Sequence, residues 1–194
     1  MRVFGIDPGS ERTGYGCIET DGSCHRMVTS GAIRTPALAS FPDKLLKIHR
    51  QLTILLRECQ PDCVAIENLF FAVNVRSALK LGHARGVAML AAVEAGVPVF
   101  EYTPAAIKKA VVGHGRADKP QVQHMIKLIL GLDAVPSPHD AADALAIAVC
   151  HVHSHTTARV RNAMPVPRTT ATSWRTYRPD PALGAPRRGK PARS

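Results

Sequence analysis

The chain has few aromatic residues and no long apolar segment. Only 5% of its 194 residues are aromatic, and no apolar run approaches the ~20 residues that span a bilayer. The N-terminal residues also lack the basic, apolar and small-residue segments of a signal peptide. These absences argue against a secreted or membrane protein, so we expect a cytoplasmic one.

Cysteine is scarce as well. The five cysteines are an odd number and form no CxxC pair. Neither a disulfide framework nor a zinc site is therefore expected, although Cys59 and Cys63 lie only four residues apart. We predict buried, reduced thiols.

Negative charge is nearly absent from the C-terminal part of the chain. Residues 1–155 hold 16 Lys and Arg against 14 acidic residues, whereas residues 156–194 hold nine against one, together with six prolines. This contrast predicts one globular domain over 1–155 and a basic, disordered or extended tail over 156–194. Such a tail favours a nucleic acid partner, although a tail that only aids solubility fits the charge equally well.

Apolar periodicity and turn residues predict a mixed α/β fold. The opening reads as three antiparallel strands, and the remainder alternates helices with two short strands. This order implies a mixed five-stranded sheet with helices on both faces. The predicted strands are 2–6, 13–20, 26–35, 62–66 and 98–101, and the predicted helices are 41–59, 75–95, 104–112, 118–130 and 138–153.

Two carboxylates stand at the ends of apolar strands. Asp7 follows the first strand and Glu67 follows the fourth. Because side chains alternate along a strand, Asp7 shares a face with Val3 and Gly5, and Glu67 shares one with Cys63 and Ala65. Taken alone, Asp7 could simply make the turn that follows it, and Glu67 could be a surface residue.

Two more carboxylates lie three residues apart at the start of the last helix. This spacing puts Asp140 and Asp143 on one helix face, where they repel each other. Asp140 could instead complete a capping box with Ser137. Asp143 is harder to explain in this way, because its neighbours are almost all alanine.

Together the four carboxylates suggest a metal centre. Oxygen-only ligands select Mg²⁺ or Mn²⁺, and ligand sites in open α/β sheets lie beyond the carboxyl ends of the strands. A set of carboxylates without dedicated His or Cys ligands suits a two-metal phosphodiesterase. On spacing alone, this remains a hypothesis.

Five ordered segments resemble one known family. They cover about residues 1–153, and in combination they are similar to the RuvC family of Holliday-junction resolvases, the crossover junction endodeoxyribonucleases. The matching segments are Gly5-Ile6-Asp7-Pro8-Gly9 with Thr13-Gly14-Tyr15-Gly16, Ala65-Ile66-Glu67-Asn68 with Phe70, residues 77–86, Val111-Val112-Gly113 with residues 121–125, and residues 140–146.

The resemblance implies an RNase H-like fold, a homodimer, and symmetric metal-dependent nicking of two strands at a four-way DNA junction during recombination and repair. It implies that Asp7, Glu67, Asp140 and Asp143 are the catalytic metal ligands for two Mg²⁺ or Mn²⁺ ions. It also implies the RuvA and RuvB branch-migration complex as partners. Some relatives use a histidine among the final ligands, so His139 is a candidate for a role just outside the ligand set, or is simply an early residue of the helix.

Several other residues fit this function. Phe70 could wedge against an unstacked base, and Phe71 reads as a core residue. Lys108 and Lys119 match basic family positions near the active site. Arg76 and Lys80 could follow phosphates along helix 75–95, or form an ordinary solvated face. The small residues Gly82, Ala84 and Gly86 of the same helix suit a dimer interface, although packing on the chain's own sheet is equally compatible.

Two other functions remain open at this point. A related RNase H-like protein of the YqgF type would process RNA, but such proteins lack much of the middle match. A junction-binding scaffold would bind without cutting, but it would not require all four carboxylates. A sugar kinase would need a second duplicated domain, for which the chain has no room.

Overall fold

The computed structural model describes residues 1–68 and 75–163, with side chains through His155. Within this part the chain forms five strands and five helices, which confirms the predicted mixed α/β fold. The strands are β1 (Arg2–Asp7), β2 (Arg12–Thr20), β3 (His25–Arg34), β4 (Cys63–Glu67) and β5 (Val99–Tyr102). The helices are α1 (Phe41–Cys59), α2 (Val75–Glu94), α3 (Pro104–Val112), α4 (Lys119–Ile129) and α5 (His139–Ala163).

All five strands belong to one sheet with the order β3-β2-β1-β4-β5. The first three strands are antiparallel neighbours, whereas β4 runs parallel to β1 and β5 runs parallel to β4. The central strand β1 therefore lies between an antiparallel hairpin and a parallel pair. Because β1 and β4 are parallel neighbours, their carboxyl ends meet at the same edge of the sheet.

Helices cover both faces of the sheet, as predicted. One core contains Val3, Cys63 and Ala65 together with residues of α3, α4 and α5. The other contains Phe4, Ile66 and residues of α1 and α2. The predicted alternation along β1 and β4 is therefore confirmed, and the face that carries Asp7 and Glu67 is the face covered by α5.

Local capping fixes where three of the helices begin. Ser40, Thr103 and Asp118 each accept a hydrogen bond from the backbone N–H three residues on. The start of α5 differs. It begins at His139, with the Ala141 N–H donating to the carbonyl of Pro138, so Pro138 rather than Ser137 takes the cap position.

Helix α5 is also longer than expected. It continues to Ala163 rather than ending near residue 153, because no proline interrupts the sequence before Pro165. The helix thus crosses the predicted boundary between residues 155 and 156, and the division into domain and tail stays a prediction. Residues 164–194 lie outside the described part of the chain.

The cysteines partly match expectation. All five lie in the described ranges and are free thiols; four are buried, but Cys24 is exposed in the β2–β3 turn, so the prediction of uniformly buried thiols is wrong there. The cause is local, because Cys24 follows the Asp21-Gly22-Ser23 turn. Over the described residues, no helix is both long and apolar enough to cross a membrane.

Candidate active site

A small pocket opens at the carboxyl end of β1 and β4. It has a volume of about 150 Å³ and brings together three of the four predicted carboxylates, Asp7, Glu67 and Asp143. Two lysines also line it, Lys108 from α3 and Lys119 from α4. The rest of the wall is largely apolar, formed by Pro104, Ile107, Val122, Ala146 and Ile147.

Glycines allow α5 to reach this edge of the sheet. A Cβ on Gly5 would collide with the carbonyl oxygen of Ala144, and a Cβ on Gly14 would collide with that of Asp140. Gly14 pairs with Asp7 across β1 and β2. Without these glycines the first turns of α5 could not lie flat on the strands, and its carboxylates would stand farther from Asp7. In the sequence these glycines were noted only as parts of the family motifs. Gly14 and Gly16, two residues apart on β2 and both packed on the Ala-rich helix α5, are the signal for close packing.

Asp140 lies beside the pocket rather than in its wall. Its backbone packs on Gly14, and its negative charge still reaches Asp7, whose pKa it helps to raise. The structure thus gathers three predicted ligands around one pocket and places the fourth next to them.

The carboxylates of the pocket are electrostatically crowded. Burial is the largest cause that raises the pKa of Asp7 to about 8, and the charges of Glu67, Asp143 and Asp140 contribute the rest of the rise. Burial and Asp143 also raise the pKa of Glu67, whereas a hydrogen bond from Asp7 lowers it. A proton on Asp7, donated to Glu67, therefore relieves part of the repulsion between them.

Lys119 supplies a positive charge to the same group. Its Nζ lies 3.3 Å from Oδ2 of Asp143, and this carboxylate is the main cause that raises the pKa of Lys119. The lysine side chain is 74% exposed, whereas that of Asp143 is 24% exposed. The ion pair is therefore weakly held and free to exchange partners.

The donor set fits hard divalent cations. Its ligating atoms are carboxylate oxygens, and the raised pKa of Asp7 marks uncompensated negative charge that a cation would neutralise better than a proton. Within residues 1–68 and 75–155, no three acidic, His or Cys side chains are close enough together to hold a metal ion. Asp143 is instead paired with Lys119.

The other predicted site residues are more scattered. Arg76 and Lys80 lie on the exposed side of the first turns of α2, outside the pocket wall. His139 is the first residue of α5, and its Nδ1 lies 2.7 Å from Nε2 of Gln123. Phe70 and Phe71 lie outside the described residues.

Gln123 is a residue whose role was missed at the level of sequence. It stands within a matching segment and drew no separate prediction, yet it is a polar side chain on the buried face of α4, next to Val122 and near Ile126. A polar residue at an apolar position of an amphipathic helix was the available signal.

Comparison with known proteins identifies the family. Residues 3–151 match the family model described as crossover junction endodeoxyribonuclease RuvC. The chain is 52% identical over 154 residues to RuvC of Chloroflexus aggregans, covering 79% of this chain and 94% of that protein. It is also 52% identical over 179 residues to RuvC of Pelobacter propionicus, covering 92% of this chain and all of the relative.

A solved structure agrees. Thermus thermophilus RuvC in complex with Holliday junction substrate superposes with a TM-score of 0.78 at 37% identity, covering 81% of this chain and 96% of that one. These matches confirm the predicted family, its fold and its crossover junction endodeoxyribonuclease activity, and they disfavour the RNA-processing and scaffold alternatives. The chain therefore belongs to the RuvC family of crossover junction endodeoxyribonucleases.

Proposed function

We propose that the carboxylate pocket is the centre at which this nuclease cuts two strands of a Holliday junction. The observation that supports this most is the convergence of Asp7, Glu67 and Asp143, from three separate elements, on one pocket at the sheet edge. Placing carboxylates together in a partly buried pocket costs folding free energy. Such a group is therefore typical of a functional site that uses its negative charge.

Asp7, Glu67, Asp140 and Asp143 would hold two Mg²⁺ or Mn²⁺ ions. When bound, such ions make water nucleophilic and stabilise the leaving oxygen of a phosphodiester. Hydrolysis joins the water oxygen to phosphorus and breaks the bond to the 3′ oxygen, which takes up a proton. The products would be a 5′-phosphate and a 3′-hydroxyl, which a ligase can seal.

The lysines of the pocket would bind the phosphate. Lys119 can leave Asp143 for a phosphate oxygen once other positive charge is present, because its own pairing is largely exposed. Lys108 lies in the same wall and its charge acts on Glu67. The apolar wall, which includes Ile107 and Val122, limits the water around the reacting group.

Cleavage of a synthetic four-way junction tests this assignment. With Mg²⁺ present, we expect paired nicks on two strands of like polarity, with ends that ligase reseals. Nicks at unrelated positions, or ends that cannot be sealed, would contradict the proposed chemistry.

The active form would be a homodimer, in which a second copy of this chain covers a groove between α1 and α2. The groove has a volume of about 510 Å³ and carries no acidic, lysine or arginine side chain. Among residues 1–68 and 75–163, a Cβ on either Gly82 or Gly86 would meet nothing within 4 Å, whereas Ala84 is fully buried. Packing against the described part of the chain therefore does not explain the two glycines. Glycine destabilises a helix by about 1 kcal/mol relative to alanine, and close approach of a second copy is a reason to have them. The lining residues are Leu45, Ala78, Leu79, Gly82, His83, Gly86, Val87 and Leu90.

Leu79→Glu is expected to dissociate the dimer. Leu79 is 59% exposed within the groove, so the change should leave the fold intact but put a charge into the interface. We expect the dimer dissociation constant to rise about 100-fold, measured by light scattering with size exclusion. Leu128→Glu on α4 is the matched control, since Leu128 is 58% exposed and lies outside the groove. A wild-type monomer, or an unchanged dimer in the variant, would argue against this interface.

The basic tail would bind DNA phosphates without reading sequence. Within the predicted tail over 156–194, the part that follows α5, residues 164–194, carries seven Lys and Arg against one acidic residue. We expect truncation after Ala163 to flatten the dependence of junction affinity on salt, by about 0.9 in the log–log slope for each phosphate that the tail neutralises. The measurement compares full-length and truncated protein, both carrying Asp143→Asn so that the junction stays uncut. Equal slopes would leave the tail without a phosphate-binding role.

Three further points stay predictions. These are association with RuvA and RuvB, a cytoplasmic location, and binding of DNA by Phe70, Arg76 and Lys80.

A further inference from the structure

Gln123, a buried residue, makes a partly buried polar contact with the exposed His139 that the proposed chemistry does not use. Its side chain is on α4, and the residue is only 7% exposed. The amide Nε2 donates to Nδ1 of His139 over 2.7 Å, which leaves the ring proton on Nε2 of the histidine. A buried amide is costly to leave without a partner. The contact therefore fixes the position of the first residue of α5 relative to α4.

Two side-chain contacts link the first turns of α4 and α5. The earlier residue of α4 pairs with the later residue of α5, and the later residue of α4 pairs with the earlier one of α5. Lys119 pairs with Asp143, and Gln123 pairs with His139. Residues four apart share a helix face, so each contact lies one turn from the other on both helices. The Lys119 side chain is 74% exposed, whereas Gln123 is buried. Of these two contacts, the one made by Gln123 is therefore the better shielded from solvent.

We propose that Gln123 is a positioning residue for the carboxylates of α5. Through His139 it holds the first turn of α5 against α4, while the backbone of Asp140 packs on Gly14 of β2. Asp140 and Asp143 are thereby directed toward Asp7 before any cation binds. This proposal rests on the proposed function, because it presumes that these carboxylates bind the cation.

Gln123→Met tests the contact. Methionine keeps the length and volume of the side chain but removes the N–H donor. We expect the full-length variant to bind Mn²⁺ about tenfold more weakly, as is usual when a group that orients a metal ligand is removed. Mn²⁺ binding is followed by electron paramagnetic resonance of the free ion, without DNA. Junction affinity in metal-free buffer and the melting temperature should stay close to wild type.

A double-mutant cycle shows whether Gln123 acts through His139. His139→Ala should weaken Mn²⁺ binding to a similar extent, and the double variant should be no weaker than either single variant. Additive losses would overturn the proposed route. His124→Ala, on the exposed side of the same helix, is the matched control and should bind as wild type does.

Asp143→Asn separates failure of this proposal from failure of the proposed function. If Asp143→Asn loses Mn²⁺ affinity while Gln123→Met keeps it, the positioning role of Gln123 is wrong and the site stands. If both variants bind Mn²⁺ as wild type does, the assignment of the cation site itself is wrong, and this proposal falls with it.

Discussion

Replacing Asp143 by Asn is expected to abolish junction cleavage while leaving the fold and junction binding in place. Asn has nearly the same shape but no charge, so the pocket loses one of the three carboxylates that line it. We expect a loss of about 4 kcal/mol of transition-state stabilisation, which is ~10³-fold in rate. The measurement is single-turnover cleavage of a labelled four-way junction in Mg²⁺.

The affinity of Asp143→Asn for the junction should not fall as its cleavage rate does. The substitution removes a negative charge and frees Lys119 from its ion pair, so affinity for the junction in metal-free buffer should be equal or higher. Asp133→Asn is the matched control, because Asp133 is exposed and lies outside the pocket. If Asp143→Asn cleaved the junction at the wild-type rate, the assignment of Asp143 to the active site would be wrong.

Asp7→Asn is expected to make the metal-free protein more stable at pH 8. Burial and neighbouring carboxylates raise the pKa of Asp7 from 3.8 to about 8 in the folded state. A raised pKa means that the folded protein favours the protonated acid. The stabilisation that protonated Asp7 gives to the folded state is therefore complete below about pH 4 and is lost as pH rises toward 8. Asn stays neutral at every pH and can donate to Glu67 as protonated Asp7 does.

The expected difference is on the order of 3 kcal/mol in the free energy of unfolding at pH 8, and it should shrink toward pH 4. Urea unfolding in EDTA, followed by circular dichroism, measures it. Burial also lowers the pKa of His151 to about 4, which costs stability as pH falls below about 6.5. That effect is common to both proteins and cancels when they are compared at the same pH.

Divalent cations supply the second arm of this experiment. Mg²⁺ should stabilise the wild type at pH 8, since a ligand that binds only the folded state raises its stability. Asp7→Asn should gain less from Mg²⁺, and it should not cleave the junction. A parallel pH dependence for the two proteins would show that Asp7 does not hold the proton in the folded state.

The sequence by itself determined the local features of this protein. Helix starts follow from Ser40, Thr103 and Asp118, whose side chains act on backbone groups only three residues away. Strand alternation placed Asp7 and Glu67 on one face of the sheet. The family could be identified for the same reason, because its motifs are short and keep their order along the chain.

Only the tertiary structure decided how these features meet. It placed Asp143 in the pocket wall and Asp140 beside it, paired Lys119 with Asp143, and joined Gln123 to His139. It also showed that Gly14 serves close packing of α5, whereas a Cβ on Gly82 would meet no described residue within 4 Å. These contacts depend on how α5 lies on strands far away in sequence. No local pattern encodes that placement, because it results from the packing of the whole core.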